Sequence, residues 1–273
     1  MKYYRLLTIA GSDSGGGAGI QADLKTFSAL GCYGMSVICA LTAQNTMSVT
    51  GIYPVSPEFI SLQIDAIMED IGIDAVKIGM LHSPEVITTV AERLIHYGAP
   101  NIIVDPVMVS TGGDKLLQDD AVDALKTILF PIAAVITPNL PEAAMLLDIP
   151  VEFLLGADSI QLEAACKNLS VFGSQAVLLK GGHAKSQLML DLLYSAKEDQ
   201  MRPFESTRID TRNTHGTGCT LSAAIAAYLA KGYPLGDAVL QAKTYITGAL
   251  EAGAAYQLGN GYGPVHHFHA YWK

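Results

Sequence analysis

Short apolar runs alternate along this chain with segments that have the hydrophobic period of a helix. The runs are rich in Val, Ile and Leu and lack the strict apolar–polar alternation of a half-exposed strand, which is typical of parallel strands buried on both faces. The predicted strands are Leu6–Ala10, Gly34–Leu41, Ala75–Gly79, Asn101–Val104, Ala133–Ile136 and Ala176–Leu179. This alternation predicts an α/β fold in one domain, residues 1–273, with a mostly parallel sheet between two helical layers.

Helices are predicted at Gly19–Leu30, Pro57–Ile71, Pro84–Tyr97, Ile160–Val171, 217–231 and 236–257. Segments 187–194 and 203–210 are predicted to pair as antiparallel strands. In open parallel sheets the ligand lies beyond the carboxyl ends of the strands. Several residues that follow predicted strands are therefore candidate site residues: Gly11–Asp13, Gln44, Gly79–Met80, Asp105, Asn139 and Lys180.

The composition argues against several classes of partner. The 273 residues carry a formal net charge of −9, which disfavours a broad basic surface for nucleic acid or anionic membrane. No apolar run reaches membrane-spanning length, and no signal-peptide pattern opens the sequence. The four cysteines lack paired spacing, so we expect free thiols and a cytoplasmic location. Any phosphate must then be bound locally, by backbone N–H groups, a helix end, a metal ion or a lysine.

Residues 213–219, Asn-Thr-His-Gly-Thr-Gly-Cys, lead into the helix predicted at 217–231. A helix N-terminus presents backbone N–H groups and the positive end of the helix dipole, and both suit an anion. Cys219 lies in the first turn, where the same field predicts a lowered thiol pKa. The pattern indicates an anion site that contains a potential base or nucleophile.

A glycine-rich stretch at residues 11–19, the first loop, follows the first predicted strand. It is not a Walker A loop, because Gly17 stands where that motif needs lysine. Residues 17–22 match a relaxed dinucleotide fingerprint, but residues 42–45 lack the acid that this fingerprint needs after the next strand. We interpret the loop as a close backbone approach to a small ligand, with an ordinary tight turn as the alternative.

Three charged residues lie at or just after predicted strand ends. Asp105 and Glu142 suit Mg²⁺ beside nucleotide phosphates, although each could instead cap a turn or a helix, with Asn139 as the N-cap before Glu142. Lys180 could act as a point charge on phosphate or extend from a strand end into solvent. For the two carboxylates the sequence favours neither the functional nor the structural interpretation.

Histidines and the remaining cysteines have structural interpretations. The segment 265–269 contains three histidines that could bind a metal, but we expect it to be a mobile surface terminus. Cys32, Cys39 and Cys166 lie in apolar or helical segments and are predicted to be small core residues.

Assembled in order, these motifs resemble the ribokinase-like superfamily and, within it, the hydroxymethylpyrimidine/phosphomethylpyrimidine kinases of thiamine biosynthesis. The resemblance covers nearly the whole chain and rests on residues 10–26, 41–46, 77–81, 105–108, 137–143 and 214–220. It implies a ribokinase-like three-layer α/β/α fold. It also implies two phosphate transfers from ATP, first to the hydroxymethyl group of 4-amino-5-hydroxymethyl-2-methylpyrimidine and then to the monophosphate so formed.

The resemblance implies a role for each motif. The catalytic residues would be Lys180 and the anion hole that receives the transferred phosphoryl group, Gly216, Thr217, Gly218 and Cys219. ATP would contact Lys180, Asn139, Thr214, Gly216 and Gly218, and Mg²⁺ would be held by Asp105 and Glu142 with help from Asn139. Gln44 would hydrogen-bond the pyrimidine in a pocket lined by Gly11, Asp23, Met80 and Val107. Members of this family are usually homodimers.

Pyridoxal kinases of the same superfamily are the alternative function. They often carry Cys in the lid where this chain has Ser110, and Met at the position of Gln44, so both positions favour the pyrimidine. A non-catalytic pyrimidine-binding protein is a second alternative, against which Lys180 and the complete anion hole argue. If Cys219 accepts the hydroxyl proton, Cys219→Ala should slow the first transfer more than the second, whose phosphate nucleophile needs no base.

Overall fold

The computed structural model describes residues 2–109, 113, 116–118, 120–181 and 188–272. Within these residues nine strands form one sheet: β1 (Arg5–Asp13), β2 (Tyr33–Gln44), β3 (Val49–Pro54), β4 (Ala75–Ile78), β5 (Ile102–Val104), β6 (Val135–Ile136), β7 (Ala176–Leu179), β8 (Leu188–Ser195) and β9 (Gln200–Thr207). Their order across the sheet is β3-β2-β1-β4-β5-β6-β7-β8-β9. Neighbours from β2 to β7 run parallel, whereas the β2–β3, β7–β8 and β8–β9 pairs are antiparallel.

Helices cover both faces of this sheet, which confirms the predicted α/β architecture. In the described part of the chain they are α1 (Gly19–Ala29), α2 (Pro57–Asp70), α3 (Pro84–His96), α4 (Ala121–Ala124), α5 (Leu140–Leu147), α6 (Val151–Leu155), α7 (Ser159–Ser170), α8 (Thr217–Ala230) and α9 (Leu235–Gly253). A π-helical turn at Leu125–Leu129 and a 3₁₀ turn at Phe130–Ile132 continue α4. Among these described helices none has the length and apolar character needed to cross a membrane.

Successive strand residues pack into opposite layers, which explains why the strands are apolar without alternation. In β5, Ile102 and Val104 pack with α2 to α7 on one face, whereas Ile103 packs with α1, α8 and α9 on the other. Each face has a hydrophobic core that contains a fully buried phenylalanine, Phe130 on the first face and Phe27 on the second.

The structure differs from the sequence-based prediction in a missed strand, in several element boundaries and in the environment of one segment. The edge strand β3 was not predicted, because its exposed residues and terminal Pro54 do not form an apolar run. The segment 203–210 is shifted, since β9 occupies Gln200–Thr207, and α9 ends at Gly253 rather than at 257. The expectation of a mobile surface terminus at 265–269 is wrong, because His267 is buried and its Nε2 lies 3.0 Å from the Thr220 hydroxyl of α8.

The strand order places a crevice at the middle of the sheet. The chain moves from β1 to β2 on one side and later adds β4 on the other side of β1. Helical connections therefore diverge at the carboxyl ends of β1 and β4, the switch point at which open sheets bind ligands. Gly11 and Met80 face each other there, since a Cβ at Gly11 would lie 2.7 Å from the Met80 methyl group.

An ion pair fixes the opposite, amino end of β1 and β4. The Asp74 carboxylate, just before β4, accepts the Arg5 backbone N–H at 2.8 Å and its guanidinium at 3.0 and 3.2 Å. The Arg5 hydrogen bonds, opposed by partial burial, lower the pKa of Asp74 to about 2. A carboxylate with a lowered folded-state pKa stabilises the fold above its unfolded pKa, and this contribution disappears as the pH falls through the folded value.

We predict that Asp74→Asn lowers the free energy of unfolding by about 1–2 kcal/mol at pH 7, a range reduced for the partial exposure of the pair. The difference from the unmodified chain should be constant above about pH 5 and should shrink as the pH falls toward 2. Urea titrations followed by circular dichroism at several pH values measure it. A difference that persists undiminished at pH 3 would contradict the assignment to the Asp74 charge.

Candidate active site

A cavity of about 150 Å³, the first cavity, opens at the switch point beyond β1, β4 and β5. It brings together every predicted site residue except Asp23: Gly11, Gln44, Met80, Asp105, Val107, Asn139, Glu142, Lys180, Thr214, Gly216, Thr217, Gly218 and Cys219. Ser110 of the predicted lid lies outside the described residues. Residues from across the sequence therefore meet at one end of the sheet.

The N-terminus of α8 forms one wall of this cavity. Gly216, which precedes the helix, has a φ of 79°, in the left-handed region that favours glycine. A Cβ at Gly216 would overlap the Gly17 carbonyl oxygen of the first loop. Glycine at position 216 thus lets the first loop and the helix N-terminus pack backbone against backbone, which directs the helix N–H groups into the cavity.

Asp13 links the first loop to the anion-hole segment. Its carboxylate accepts the backbone N–H groups of Gly15, Gly17 and Ala18 at 2.7 to 3.0 Å, and it lies 2.8 Å from His215 Nε2. Burial works to raise the pKa of Asp13, but the hydrogen bonds from His215 and the Ala18 N–H hold it below its usual value. The ionised carboxylate therefore fixes the shape of the loop and the position of the helix start.

Lys180 and two carboxylates occupy the opposite wall. Lys180 Nζ lies 2.8 Å from Asp105 Oδ1 and 4.0 Å from Glu142 Oε2. Asp105 also accepts the hydroxyl groups of Thr137 at 2.9 Å and Ser222 at 3.2 Å. Burial opposes it, but the charge of Lys180 keeps the pKa of Asp105 below its usual value, so Asp105 is ionised at neutral pH.

Glu142 belongs to the cap of α5 and also lines the cavity. The structural and the functional interpretation of this residue are therefore compatible. The Asn139 side chain accepts the Glu142 N–H and the Glu142 side chain accepts the Asn139 N–H, each at 2.8 Å, which is a capping box. Burial raises the pKa of Glu142 to about 7, with a further contribution from the Asp105 charge and an opposing one from Lys180. An added positive charge near Glu142 would therefore stabilise its ionised form.

These residues fit a magnesium ion that is held partly by phosphate. Mg²⁺ usually binds one or two carboxylates together with waters and nucleotide phosphates, rather than a cage made only of protein. Asp105 and Glu142 both border the cavity, and both are buried oxygen donors. Within the described residues no group of three or more His, Cys, Asp or Glu side chains forms a complete metal site, so phosphate and water would have to complete the coordination.

In the first cavity the amide of Gln44 lies among apolar side chains. Gln44 ends β2, and its side-chain oxygen lies 3.1 Å from the Thr42 hydroxyl. Met80, Val107 and Leu116 supply apolar surface around it. An amide beside apolar walls can read the donors and acceptors of a small flat ring.

The sequence analysis missed Lys77, which lies in the middle of β4 and lines the first cavity. Its Nζ lies 2.9 Å from both oxygens of Asp23, and both side chains are fully buried. The prediction that Asp23 lines the pocket is therefore wrong in position: Asp23 lies behind Lys77 and accepts the Thr8 hydroxyl at 2.6 Å. A lysine inside the buried strand Ala75–Ile78 was the available signal, because such a charge needs a buried partner.

Cys219 lines the cavity, but the expectation of a lowered thiol pKa is wrong. Burial raises the pKa of Cys219 to about 11; Lys77 opposes this shift, and the Asp23 and Asp105 charges add to it. The loss of water around the thiol and two nearby carboxylates outweigh the helix field. Cys219 therefore keeps its proton at neutral pH in the free protein.

A second cavity, about 470 Å³ in volume, adjoins the first one. The described residues that line both cavities are Val109, Asn139, Glu142, Lys180, Thr214, Thr217 and Gly218. Thr207, Lys243 and Leu250 extend the second cavity between β9 and α9. The N-terminus of α8 thus lies at the junction of a small cavity and a larger one.

We predict that iodoacetamide alkylates Cys219 slowly at pH 7 and roughly tenfold faster per pH unit from pH 7 to 9.5, as expected for a thiol with a pKa near 11. Mass spectrometry measures the rate, and the other three cysteines are buried, so labelling is selective. Cys219→Ser provides the unlabelled control. A labelling rate that is already constant near pH 7 would show a thiolate and contradict the raised pKa.

Sequence comparison with known proteins matches this chain to the phosphomethylpyrimidine kinases. The phosphomethylpyrimidine kinase family model matches residues 13–266. The hydroxymethylpyrimidine/phosphomethylpyrimidine kinase of Rhizobium meliloti is 52% identical over 267 residues, which cover 98% of each chain. The enzyme of the same name from Escherichia coli is 48% identical over 272 residues and covers 100% of each chain.

Solved structures show the same similarity. An ADP complex of Bacillus subtilis pyridoxal kinase superposes with a TM-score of 0.88 at 37% identity, covering 97% of this chain and 98% of that one. The phosphomethylpyrimidine kinase of Clostridium difficile superposes with a TM-score of 0.78 at 43% identity, covering 90% and 99% of the two chains. On the sequence match, the strand order and the residues gathered in the first cavity, this chain belongs to the phosphomethylpyrimidine kinase family.

Proposed function

We propose that this kinase transfers the γ-phosphate of ATP to the hydroxymethyl group of 4-amino-5-hydroxymethyl-2-methylpyrimidine and then transfers a second phosphate to the monophosphate. One observation supports this most strongly: the N-terminus of α8 lies where a small cavity meets a larger one. A phosphoryl group at that helix end can be shared between a ring on one side and a nucleotide on the other.

The acceptor occupies the first cavity. The first cavity is the smaller of the two, at about 150 Å³ against about 470 Å³, which favours the smaller substrate, a single substituted ring, in it. Gln44 hydrogen-bonds the ring, and the hydroxymethyl group points toward the α8 N-terminus. The apolar side chains of Val107 and Leu116 cover the faces of the ring and limit the access of water.

ATP occupies the second cavity, whose volume of about 470 Å³ lies in the range of small-molecule and cofactor pockets. Its phosphates extend to the junction, where Asn139, Thr214 and Lys180 border both cavities. The N–H groups near Gly216 and Gly218 hold the transferred group. The ADP complex of the related Bacillus subtilis pyridoxal kinase supports nucleotide binding by this fold.

Asp105 and Glu142 would hold Mg²⁺ beside these phosphates, with Asn139 fixing Glu142 in place. Bound Mg²⁺ would neutralise charge on the nucleotide oxygens during transfer. Lys180 contributes a fixed positive charge from the same wall, 2.8 Å from Asp105. Phosphoryl transfer depends mainly on positioning and on charge stabilisation, and these residues supply both.

Cys219 contributes shape to the anion hole rather than a base. Its thiol is protonated at neutral pH, and the transition state of phosphoryl transfer is loose, so the acceptor hydroxyl loses its proton late. This replaces the sequence-based expectation that Cys219→Ala slows the first transfer selectively. The first step then needs no thiolate, and both steps use Cys219 in the same way.

A pyridoxal kinase is the second candidate function, and the structural similarity supports it. Pyridoxal kinases from Bacillus subtilis and Staphylococcus aureus superpose with TM-scores of 0.88 and 0.85 at 37% and 33% identity. Full-length relatives with the pyrimidine kinase name reach 52% identity, and Gln44 offers the polar group that an aminopyrimidine needs. These two observations favour the pyrimidine as the main acceptor.

We also propose a homodimer, which the family resemblance implies. The sheet edge formed by β3 supports an interface there, because Tyr53 and its cross-strand neighbour Leu41 are both exposed, at 72% and 47%. Adjacent exposed apolar side chains at an edge strand favour burial against another chain.

The proposed function is tested by incubating the purified chain with Mg·ATP and, separately, the hydroxymethylpyrimidine, its monophosphate and pyridoxal. Chromatography resolves the products. The proposal expects the monophosphate and the diphosphate of the pyrimidine, with slower or no turnover of pyridoxal. Faster turnover of pyridoxal would support the second candidate, and pyrimidine binding without ADP formation would contradict a kinase.

We predict that Gln44→Met lowers kcat/KM for the hydroxymethylpyrimidine by about 10- to 100-fold, because ring donors and acceptors lose their partner on leaving water. The KM for ATP should change little, since Gln44 lines the first cavity and ATP binds in the second. Gln200→Met at the exposed start of β9 is the matched control. Unaltered pyrimidine kinetics would remove Gln44 from the reading role.

We predict that Cys219→Ala slows both phosphorylations by similar factors. Steady-state kinetics with each acceptor and saturating Mg·ATP measure the two losses, and Cys166→Ala in the buried face of α7 controls for the loss of a thiol. If the first step loses much more than the second, Cys219 accepts the hydroxyl proton after all.

A further inference from the structure

Lys77 and Asp23 form a buried ion pair in which Lys77 lies on the side of the first cavity and Asp23 lies behind it. Both carboxylate oxygens of Asp23 lie 2.9 Å from Lys77 Nζ, and neither side chain is exposed. Of the two, only Lys77 is among the described residues that line the cavity. Asp23 turns away from it, toward the hydroxyl of Thr8 at 2.6 Å. The positive end of the pair therefore faces the acceptor.

The two cavity-lining lysines serve different parts of the site. Lys180 borders both cavities and pairs with Asp105, which itself lines the first cavity, so the charge of Lys180 is largely offset at the junction. Lys77 lines the first cavity and is not among the described residues around the second. Any effect of Lys77 on the reaction therefore falls mainly on the acceptor.

The inference rests on the proposed function. The two acceptors in that function, the hydroxymethylpyrimidine and its monophosphate, differ in charge. The hydroxymethyl group is neutral, whereas a phosphate monoester carries about −1.5 to −2 at pH 7. The acceptor's own phosphate must lie between the ring and the α8 N-terminus, where Asp13, Asp105 and Glu142 also line the cavity. Asp105 already pairs with Lys180, and Asp13 with His215, so a further cation on the acceptor side would favour binding of the dianion.

We propose that Lys77 is a selectivity residue: its buried charge allows the site to accept the phosphorylated pyrimidine, and it contributes far less to the neutral alcohol. The pair with Asp23 fixes the ammonium group, so that little reorganisation is needed when the phosphate arrives. The absence of a side chain at Gly79 leaves room beside it, since a Cβ at Gly79 would lie 3.1 Å from Lys77 Nζ. Burial works to lower the pKa of Lys77, but the attraction and hydrogen bonds of Asp23, together with the nearby Asp105 charge, keep it raised, so Lys77 stays charged.

The test removes the charge without leaving a lone buried ion. In a triple variant, Thr8→Val, Asp23→Leu and Lys77→Met replace the whole polar cluster with apolar side chains of similar size, because breaking only one partner of a buried pair is strongly destabilising. A second neutral variant, Lys77→Gln with Asp23→Asn, keeps polar groups of similar shape. Thermal melts identify which of the two folds, and either one decides the question.

The measured quantity is kcat/KM for the monophosphate divided by kcat/KM for the hydroxymethylpyrimidine. The inference expects this ratio to fall at least about tenfold in a folded neutral variant, mainly through a higher KM for the monophosphate. Thr8→Val alone retains the ion pair and should leave the ratio unchanged. The matched control is Lys243→Gln with Asp191→Asn, because these residues are also a buried lysine–aspartate pair but line the second cavity. Loss of this pair should affect both acceptors equally.

Equal losses for both acceptors in a folded neutral variant would overturn the inference and leave Lys77 with a structural role. Failure of the proposed function is distinguishable, because it appears in the unmodified chain as absent turnover of both pyrimidines. A ratio that falls as much in the Lys243→Gln, Asp191→Asn control as in the neutral variants of the Lys77 pair would also overturn it, because the effect would then not be specific to the acceptor side.

Discussion

The site depends on the contact between the first loop and the N-terminus of α8. Gly17 and Gly216 touch backbone to backbone, and Asp13 bonds the loop N–H groups and His215 together. Segments about 200 residues apart in sequence are thereby fixed at one point of the sheet. A side chain at Gly216 would separate them, and the anion hole would lose its position relative to the acceptor.

Charge in this kinase is organised locally rather than over the surface. The chain has a net charge of −9, yet the cavity lysines are each held against an aspartate, Lys180 against Asp105 and Lys77 against Asp23. Such pairs contribute little net stability, since desolvation offsets the attraction. They fix the position and sign of the field instead, which is the property that phosphoryl transfer needs.

Much of this arrangement could be predicted from sequence, because it follows from local rules. The apolar runs predicted the parallel strands, and the switch-point rule then predicted that Asp105, Asn139 and Lys180 lie at one end of the sheet. The N-cap role of Asn139 before Glu142 was likewise predicted from four consecutive residues. Each of these inferences needs only the chain near the residue and the general geometry of the fold.

The missed features depend on what surrounds a residue in three dimensions. The pKa of Cys219 is set by burial and by Asp23 and Asp105, residues remote in sequence, so the helix position alone predicted the wrong direction. Lys77 reads as an anomaly in an apolar strand until its partner is known. His267 likewise packs against α8, and burial lowers its pKa to about 3, so it is a neutral structural residue.

The most direct measurement is a crystal structure of this chain with the hydroxymethylpyrimidine and a non-hydrolysable ATP analogue. The account predicts the ring against Gln44, the nucleotide between β9 and α9, and the terminal phosphate within hydrogen-bond distance of the N–H groups at residues 216–219. A terminal phosphate bound away from the α8 N-terminus, or a ring outside the first cavity, would contradict it.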